Sequence, residues 1–563
     1  MSWPVFTSLR GYDRSWLRGD LVAGLTVWAV LVPEALAYAS IAGVSPVVGL
    51  YAAPGALLLY AAFGSSRHLV TGPMSATAAL SAAAVADLAT AGSGRFVQLT
   101  VALAITTAIA ALLAGLLRLG FLASFISEPV LKGFIIGLAL TIVAGQLPKL
   151  FGVEGAGGDF FEKLRGLLGD LGDTSWLTLA VGLASLAVVL GLRRLAPVVP
   201  GSLVAVLAGI VAVQVFGLDD RGVAIVGRID SGLPSLGLPG VAAADYLALA
   251  PAAAGVMLVG FAEGLGAAKT YAARHHYEVD ANRELLGLGA ANLAAGLSSG
   301  MVVNGSLSKT AVNGSAGAQS QVSGLVVAAL TVFTLLFLTG LFESLPEATL
   351  AAVVIAAVIE LVDIPALTAL YRVATQQLRS IYGVAARPDF LAALAALGGV
   401  LVFDTLPGLF IGITVSLLLL LYRASRPHVA VLGQVPGASD QYVDVDRNPE
   451  NRQVPGIVVL RLEAGLFFAN ADALRDAVRA HAVRDGIRAV VLDAETIPYI
   501  DVTAARMLVQ LDDELARRGV RLVMARNIGQ VRDVLRRTQE GGPLLTTYPT
   551  VHQAVEALQP SGG

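Results

Sequence analysis

Three ionisable residues lie inside long apolar stretches and are the best placed in this chain to do chemistry: Glu34, Glu263 and Lys309. A charged group within a membrane is costly and is by default a hypothesis for function. A carboxylate there can carry a proton, gate a substrate or pair with a cation, and a cation can hold an anion. A purely structural carboxylate, serving as partner of Lys309 or of the backbone, is the alternative that stays open.

Two interrupted stretches must position such groups. Leu69–Ala76 contains Gly72-Pro73, and Val302–Lys309 contains Asn304-Gly305. Each stretch predicts a short extended segment, then a helix-breaking residue, then the start of a helix. Unwound backbone survives at membrane depth only where protein or water satisfies it, and a helix start offers free N–H groups and positive dipole charge. Two such starts predict an anion site; simple kinks in packed helices are the alternative.

The composition indicates that these stretches belong to a membrane protein. Of 563 residues, 56% are hydrophobic and 14% charged, against about 25% charged in soluble domains. This excludes a soluble enzyme as the main body. With a net charge of −3, the chain lacks the overall positive charge that binds nucleic acid. The absence of cysteine excludes thiolate chemistry and Cys-based metal sites. His275-His276 has no further ligands nearby in sequence, so neither a metal nor a cofactor is expected.

Apolar runs of about 20 residues predict fourteen membrane segments. The interrupted stretches fall at the third and the tenth, which indicates two halves of seven segments, at about 15–220 and 245–425. Because seven is odd, the second half must be inverted relative to the first. Inverted repeats with broken helices are typical of transporters that work by alternating access. Glu34 and Glu263 lie in the first segment of each half.

Charge patterning predicts the orientation and the domain boundary. With the N-terminus inside, the inner loops hold 15 Lys and Arg and the outer loops hold 6, which favours cytoplasmic termini and a multi-pass protein of the cell membrane. Residues 1–426 contain 47 charged residues, whereas residues 427–563 contain 32. The sequence therefore predicts a membrane domain at 1–426 and a soluble domain at 427–563.

The tail alternates between strand and helix patterns. Strands are predicted at Ile457–Leu462, Ala489–Leu492 and Val520–Met524, and helices at Asp472–His481 and Thr503–Arg518. The tail is therefore predicted to be a small α/β domain. In the membrane domain, Gly260 and Gly264 lie four residues apart, and this spacing of small residues is typical of close packing between membrane helices.

Several motifs carry a resemblance to a known family: Asp20–Ala39, Gly64–Pro73, Glu263–Thr270 followed by Asn282–Leu285, and Ser306–Asn313. They resemble the signatures of the sulfate permease (SulP) family of anion transporters, over nearly the whole chain. The resemblance implies a polytopic α-helical fold shared with uracil transporters, with a seven-plus-seven inverted repeat, a core domain, a gate domain and a homodimer. It places the anion between segments three and ten, beside segments one and eight.

The same resemblance implies the substrate-binding residues, which are Glu34, Tyr38, Met74, Ser75, Glu263, Ser306, Leu307, Ser308 and Lys309. This chain departs from the family at two of these positions. The family usually has Gln in place of Glu34 and Arg in place of Lys309, and a Lys lacks the bidentate fork of Arg.

The tail resembles a STAS domain, a module shared with bacterial anti-sigma-factor antagonists. Tyr499–Ala505 is similar to its Asp-x-Ser/Thr-Gly phosphoacceptor loop, with Ala504 in place of Gly. Thr503 is therefore a possible phosphoacceptor, although the sequence favours Thr503 as a helix N-cap. Cytoplasmic regulators of this domain are possible partners.

The expected function is secondary active anion transport without a cofactor, at a bacterial inner membrane. The sequence favours proton-coupled symport of sulfate or a small dicarboxylate, with Glu34, and next Glu263, as the proton carrier, because a low-dielectric site favours the neutral carboxyl. An anion exchanger and a sodium-coupled bicarbonate carrier are the alternatives within transport. A membrane-anchored STAS signalling scaffold is the alternative from another class, and an enzyme is not expected.

Overall fold

The computed structural model describes residues 5–9, 11–121, 127–155, 157–196, 199–229, 231–359, 362–372, 388–403, 405–438, 440–538 and 545–559. The chain forms two compact units, a larger one that ends at Ser416 and a smaller one that continues from Leu417. Each unit is described by itself below.

The larger unit is helical, with two short strands. Its first half comprises α1 (Leu17–Ile41), α2 (Pro46–Phe63), β1 (Val70–Gly72), α3 (Ser75–Ala86), α4 (Gly94–Leu116), α5 (Glu128–Phe151), α6 (Phe160–Asp170), α7 (Trp176–Leu195) and α8 (Gly201–Phe216). Its second half comprises α9 (Ala243–Arg274), α10 (Ala281–Leu297), β2 (Asn304–Ser306), α11 (Leu307–Ser315), α12 (Val322–Phe337), α13 (Glu347–Ile359), α14 (Ile364–Arg372) and α15 (Pro388–Phe403). The helix α16 (Thr405–Ser425) follows and spans the point where the two units divide.

Fourteen helices in the described part of the chain correspond to the fourteen predicted membrane segments. Among the described residues, eight helices are long and apolar enough to cross a membrane, and four shorter helices are also apolar. The polar helices α10 and α11 complete the set. The interrupted stretches are the third and tenth segments, because each consists of a three-residue strand followed by a short helix.

The helices pack into two bundles. One contains α1–α4 and α9–α12, with close pairs such as α4 with α10 and α1 with α12. The other contains α5, α7, α8 and α13. We call these the core bundle and the gate bundle, and they agree with the predicted division into core and gate domains.

The strands β1 and β2 pair antiparallel, with Val70 opposite Ser306 and Gly72 opposite Asn304. This pairing satisfies backbone groups that would otherwise be unpaired at membrane depth. Since each strand leads directly into a half-helix, the pairing brings the starts of α3 and α11 to the two ends of one small ladder. The two halves of the chain meet here in opposite directions, as an inverted repeat requires.

The smaller unit contains a six-stranded sheet in the order β4-β3-β5-β6-β7-β8. The strands are β3 (Val429–Gln434), β4 (Tyr442–Asp444), β5 (Ile457–Leu462), β6 (Ala489–Asp493), β7 (Arg521–Ala525) and β8 (Thr547–Tyr548). The helices are α17 (Ala471–Ala482), α18 (Val502–Arg517), α19 (Gly529–Thr538) and α20 (Val551–Leu558). The strands β5 to β8 are parallel, and β3 is antiparallel to β4 and β5.

The predicted strands and helices of the tail are confirmed at β5, β6, β7, α17 and α18. The sequence did not predict β3, β4, β8, α19 or α20. Apolar residues cover both faces of the sheet, with α17, α18 and α19 on one face and α20 on the other. The central strands are therefore continuous apolar runs, which are easier to recognise than short edge strands.

Candidate functional site

The starts of two half-helices define the site. The N-cap of α3 is Met74, whose side chain makes no capping hydrogen bond. The N-cap of α11 is Ser306, whose Oγ accepts a hydrogen bond from the backbone N–H of Lys309 at 3.3 Å. The first N–H groups of a helix have no partner inside that helix. Both starts therefore offer N–H donors and positive dipole charge to an anion.

Lys309 links these two starts. From the first turn of α11, its Nζ donates a hydrogen bond to the backbone oxygen of Pro73, just before α3, at 3.1 Å. The same Nζ lies 2.8 Å from Oε2 of Glu34 and 5.0 Å from the ring centre of Tyr38. The side chain of Lys309 is only 1% exposed, so its charge is balanced by protein groups and not by bulk water.

Glu34 and Tyr38 lie four residues apart on α1 and therefore share one face of that helix. Both are buried, and the carboxylate side chain of Glu34 is 9% exposed. No cation lies near Glu34 in the sequence, and the structure supplies one from the other half of the chain, because Lys309 is its ion-pair partner.

The other residues predicted to bind the substrate differ in how deeply they are buried. Ser306 and Ser308 lie 3.1 Å apart between their Oγ atoms. Ser75 is buried and Met74 is half-buried, whereas Leu307 and Ser308 are exposed. The first turn of α11 thus turns Lys309 inward to α1 and turns Leu307 and Ser308 outward.

Glu263 on α9 lies apart from the ion pair. It is half-buried, and its Oε2 atom is buried with no hydrogen-bond partner among the described residues. The neighbouring glycines Gly260 and Gly264 both face Asn304 of β2, and Gly264 also faces Leu288 of the helix α10, so they serve strand packing as well as the predicted helix packing. A Cβ atom at Gly305 would lie 3.0 Å from the Cα of Gly264, so glycine allows α9 and β2 to approach closely.

Three polar residues that the sequence did not single out hold the extended segment before β1. Oγ1 of Thr310 accepts a hydrogen bond from the N–H of Val70 at 3.1 Å, and Nδ2 of Asn313 donates to the oxygen of His68 at 2.9 Å. Nε2 of Gln321 donates to the oxygen of Leu69 at 2.9 Å. Their polarity within a membrane segment was the signal that could have revealed them.

Two buried carboxylates also act as clamps. Oδ1 of Asp20 accepts hydrogen bonds from the N–H groups of Gln319 and Ser320 at 2.7 and 3.1 Å, which ties the start of α1 to the turn after α11. Oε1 of Glu284 accepts from the N–H of Ser65 at 2.8 Å, and its Oε2 accepts from the hydroxyl of Tyr60 at 2.7 Å. These clamps fix the connections on which the half-helices depend.

The position predicted for phosphorylation lies on α18 of the smaller unit. Thr503 is exposed and is the second residue of that helix. The N-cap is Asp501, whose Oδ1 accepts a hydrogen bond from the N–H of Ala504 at 2.8 Å. The interpretation of Thr503 as the N-cap was therefore wrong. Its role as a phosphoacceptor stays a prediction.

Family comparisons identify the chain. A family profile described as "Sulfate permease family" matches residues 17–382, and a "STAS domain" profile matches residues 448–554. The chain belongs to the sulfate permease family. It is 40% identical to a "probable sulfate transporter" of Mycobacterium tuberculosis (strain CDC 1551 / Oshkosh), over 95% of this chain and 93% of that protein. Family membership makes the chain a membrane anion transporter and not an enzyme, and confirms the predicted STAS domain.

Solved structures show the same fold. The murine anion transporter Slc26a9 in its inward-facing state superposes with a TM-score of 0.87 at 22% identity, covering 97% of this chain and 92% of that chain. The transmembrane domain of the cyanobacterial bicarbonate transporter BicA superposes with a TM-score of 0.61 at 23% identity, covering 71% of this chain and 98% of that chain. At these identities the likeness concerns the fold alone. It confirms the predicted helical membrane core, and the first of the two covers the STAS domain as well.

Proposed function

We propose that this sulfate permease carries sulfate or a small dicarboxylate across the cell membrane by alternating access, together with protons that Glu34 takes up. The observation that carries the proposal is the buried ion pair between Lys309 and Glu34, next to the starts of α3 and α11. The residues that the family resemblance implied are the binding residues in this proposal, with Lys309 and the helix starts as the anion-holding groups.

The charge of the site depends on the proton on Glu34. When Glu34 is ionised, its charge cancels that of Lys309 and an arriving anion meets a carboxylate. When Glu34 is protonated, the charge of Lys309 acts together with the two helix starts, each equivalent to about half an elementary charge. The sum of about two positive charges suits a divalent anion. Proton and anion therefore bind with positive and reciprocal coupling.

The name of the mycobacterial relative, a "probable sulfate transporter", supports sulfate as the divalent anion. A sodium-coupled carrier is the second candidate, and a different atom favours it. Oε2 of Glu263 is buried without a hydrogen-bond partner among the described residues, and a free carboxylate oxygen suits a hard cation such as Na⁺. Anion exchange would use the same site without a coupled cation.

Uptake of radiolabelled sulfate into proteoliposomes distinguishes these cases. We expect an inward proton gradient to accelerate uptake by the wild type, and an inward sodium gradient or a trapped counter-anion to leave it unchanged. Glu34→Gln should bind sulfate but lose the acceleration by protons. Glu263→Gln is the matched control and should keep it.

An undiminished response of Glu34→Gln to the proton gradient would contradict the proposal and make Glu263 the next residue to test. Acceleration by sodium alone, lost in Glu263→Gln, would favour the second candidate.

We also propose that residues 1–426 form the transporter, that residues 427–563 form a cytoplasmic domain open to regulators, and that the protein assembles as a homodimer with both termini in the cytoplasm. The excess of Lys and Arg in the predicted inner loops supports this orientation. The buried pair of Lys309 and Glu34 supports transport over a signalling scaffold, since an anchor needs no costly buried charges.

The orientation can be tested in the cysteine-free chain. A cysteine placed by Gln559→Cys should react with a membrane-impermeant thiol reagent only after the cells are permeabilised. Reaction on intact cells would contradict the cytoplasmic position of the tail.

A further inference from the structure

The helix α6 joins two helices of the gate bundle, and nothing in the transport site uses it. Its start is fixed by a capping box: Oδ1 of Asp159 accepts a hydrogen bond from the N–H of Glu162 at 2.8 Å, and Oε2 of Glu162 accepts from the N–H of Asp159 at 3.2 Å. The connection between α5 and α7 therefore contains a defined helix.

This helix exposes an apolar face. Leu167 is buried against the protein, whereas Phe161 and Leu168 are 53% and 62% exposed. These two residues are seven positions apart, which is about two helical turns, so they share one face. Leu171 in the following turn and Trp176 at the start of α7 are exposed as well, the latter by 78%. An amphipathic helix with its apolar face outward needs a non-aqueous partner.

The position of α6 places it at the level where membrane helices end. The N–H of Ser175 donates a hydrogen bond to the oxygen of Phe151 at 3.0 Å, so α7 begins at the height at which α5 ends. The helix α6 packs against α5 between these two points. Lys149 in the last turn of α5 forms an exposed ion pair with Glu347 at the start of α13, and such exposed charges belong in water.

We propose that α6 and Trp176 form a membrane-interface anchor whose apolar face, defined by Phe161, Leu168 and Leu171, lies in the lipid surface. The exposed apolar side chains of α7, such as Leu183, continue this face toward the bilayer interior. Tryptophan is enriched at membrane–water interfaces, and amphipathic helices bury their apolar face at this depth. The anchor holds the gate bundle at a fixed depth.

The charged residues of α6 are of both signs, namely Glu162, Lys163, Arg165 and Asp170. Anionic headgroups are therefore not required, and insertion of apolar side chains is the basis of the interaction. The proposal commits to lipid as the partner, and a second copy of the chain on this face is an outcome that the test can detect.

The absence of cysteine allows single spin labels to measure the depth of each side chain. Phe161→Cys and Leu168→Cys report on the apolar face, and Gly169→Cys is the matched control, because it is exposed, lies about a quarter turn from Leu168 and has room for a side chain. The labelled full-length protein is placed in phosphatidylcholine nanodiscs, and collision rates with oxygen and with a water-soluble nickel complex are compared. We expect collisions with oxygen to exceed those with the nickel complex several-fold at 161 and 168, and the reverse at 169.

Free access of the nickel complex to positions 161 and 168 would overturn the proposal. Shielding from both reagents would also overturn it, because protein would then cover the face. Insertion that occurs only after an anionic lipid is added would contradict the apolar basis of the anchor. Two independent positions on the face keep the test decisive if one variant fails to fold.

Discussion

Lys309 on α11 and Glu34 on α1 form an ion pair in which each inverted repeat supplies one partner, with 2.8 Å between Nζ and Oε2. A buried charge without a partner destabilises a protein strongly. Neither residue can therefore change its charge or its position without consequence for the other. In the proposed mechanism this link makes occupation of the site by an anion and protonation of Glu34 dependent on each other, and it is the basis of the first two predictions.

Sulfate binding should tighten as the pH falls. A proton on Glu34 releases the charge of Lys309 to the anion, so the wild type should bind sulfate more weakly at higher pH. Glu34→Gln mimics the protonated carboxyl and should bind with little dependence on pH. Isothermal titration calorimetry on the purified proteins between about pH 5.5 and 8 measures both. Parallel pH profiles for the two proteins would exclude Glu34 as the titrating group.

Removal of Lys309 should weaken sulfate binding by about 1–3 kcal/mol. Lys309→Ala also leaves Glu34 buried without its cation, so we expect a lower melting temperature. The double variant Lys309→Ala/Glu34→Gln should recover the melting temperature but not the affinity, which separates folding from binding. Unchanged affinity in folded Lys309→Ala would place Lys309 outside the site.

Glu284 should matter for stability and not for the anion. Its carboxylate accepts hydrogen bonds from Tyr60, Ser65 and Ser66. Glu284→Gln removes the charge and turns an amide N–H toward these donors, and we expect a loss of about 2–3 kcal/mol. Thermal unfolding in detergent measures this, with the exposed Glu278→Gln as the control. A weaker sulfate affinity at unchanged stability would contradict the role as a clamp.

His68, in the connection between α2 and β1, should make the protein less stable in acid. Burial, the nearby His275 and Arg67 lower the pKa of His68 to about 4, whereas an unfolded His titrates near 6.5. Between these values the unfolded state binds more protons, so stability falls as the pH drops from 6.5 to 4. Linkage sets the loss at up to about 3 kcal/mol. The melting temperature of His68→Gln should fall less over this range than that of the wild type, and equal slopes would contradict the assignment.

The start of α18 should depend on Asp501 and not on Thr503. Oδ1 of Asp501 accepts from the N–H of Ala504, and Oδ2 accepts from the N–H of Phe468, both at 2.8 Å. Asp501→Ala should destabilise the first turn by about 1 kcal/mol and speed amide hydrogen exchange there. Thr503→Ala is the matched control and should leave exchange unchanged. Faster exchange in Thr503→Ala alone would restore Thr503 as the cap.

The sequence by itself determined the elements whose causes are local. A membrane segment follows from about 20 apolar residues in a row, and the two interrupted segments follow from Gly72-Pro73 and Asn304-Gly305. The central strands of the STAS domain follow from β-branched runs. For the same reason the sequence isolated Glu34, Glu263 and Lys309, because a charged residue in an apolar run is visible without knowledge of the fold.

Only the tertiary structure decided which of these groups meet. The partner of Lys309 could have been either carboxylate, and the antiparallel pairing of β1 with β2 together with the packing of α1 selected Glu34. The contact with the backbone oxygen of Pro73 has no sequence signal at all, because every residue carries a carbonyl group. The second hydrogen bond of Asp501, which its Oδ2 accepts, likewise depends on where Phe468, distant in the chain, presents its N–H. Hydrogen bonds and ion pairs form between atoms about 3 Å apart in space, and that proximity is a property of the folded chain.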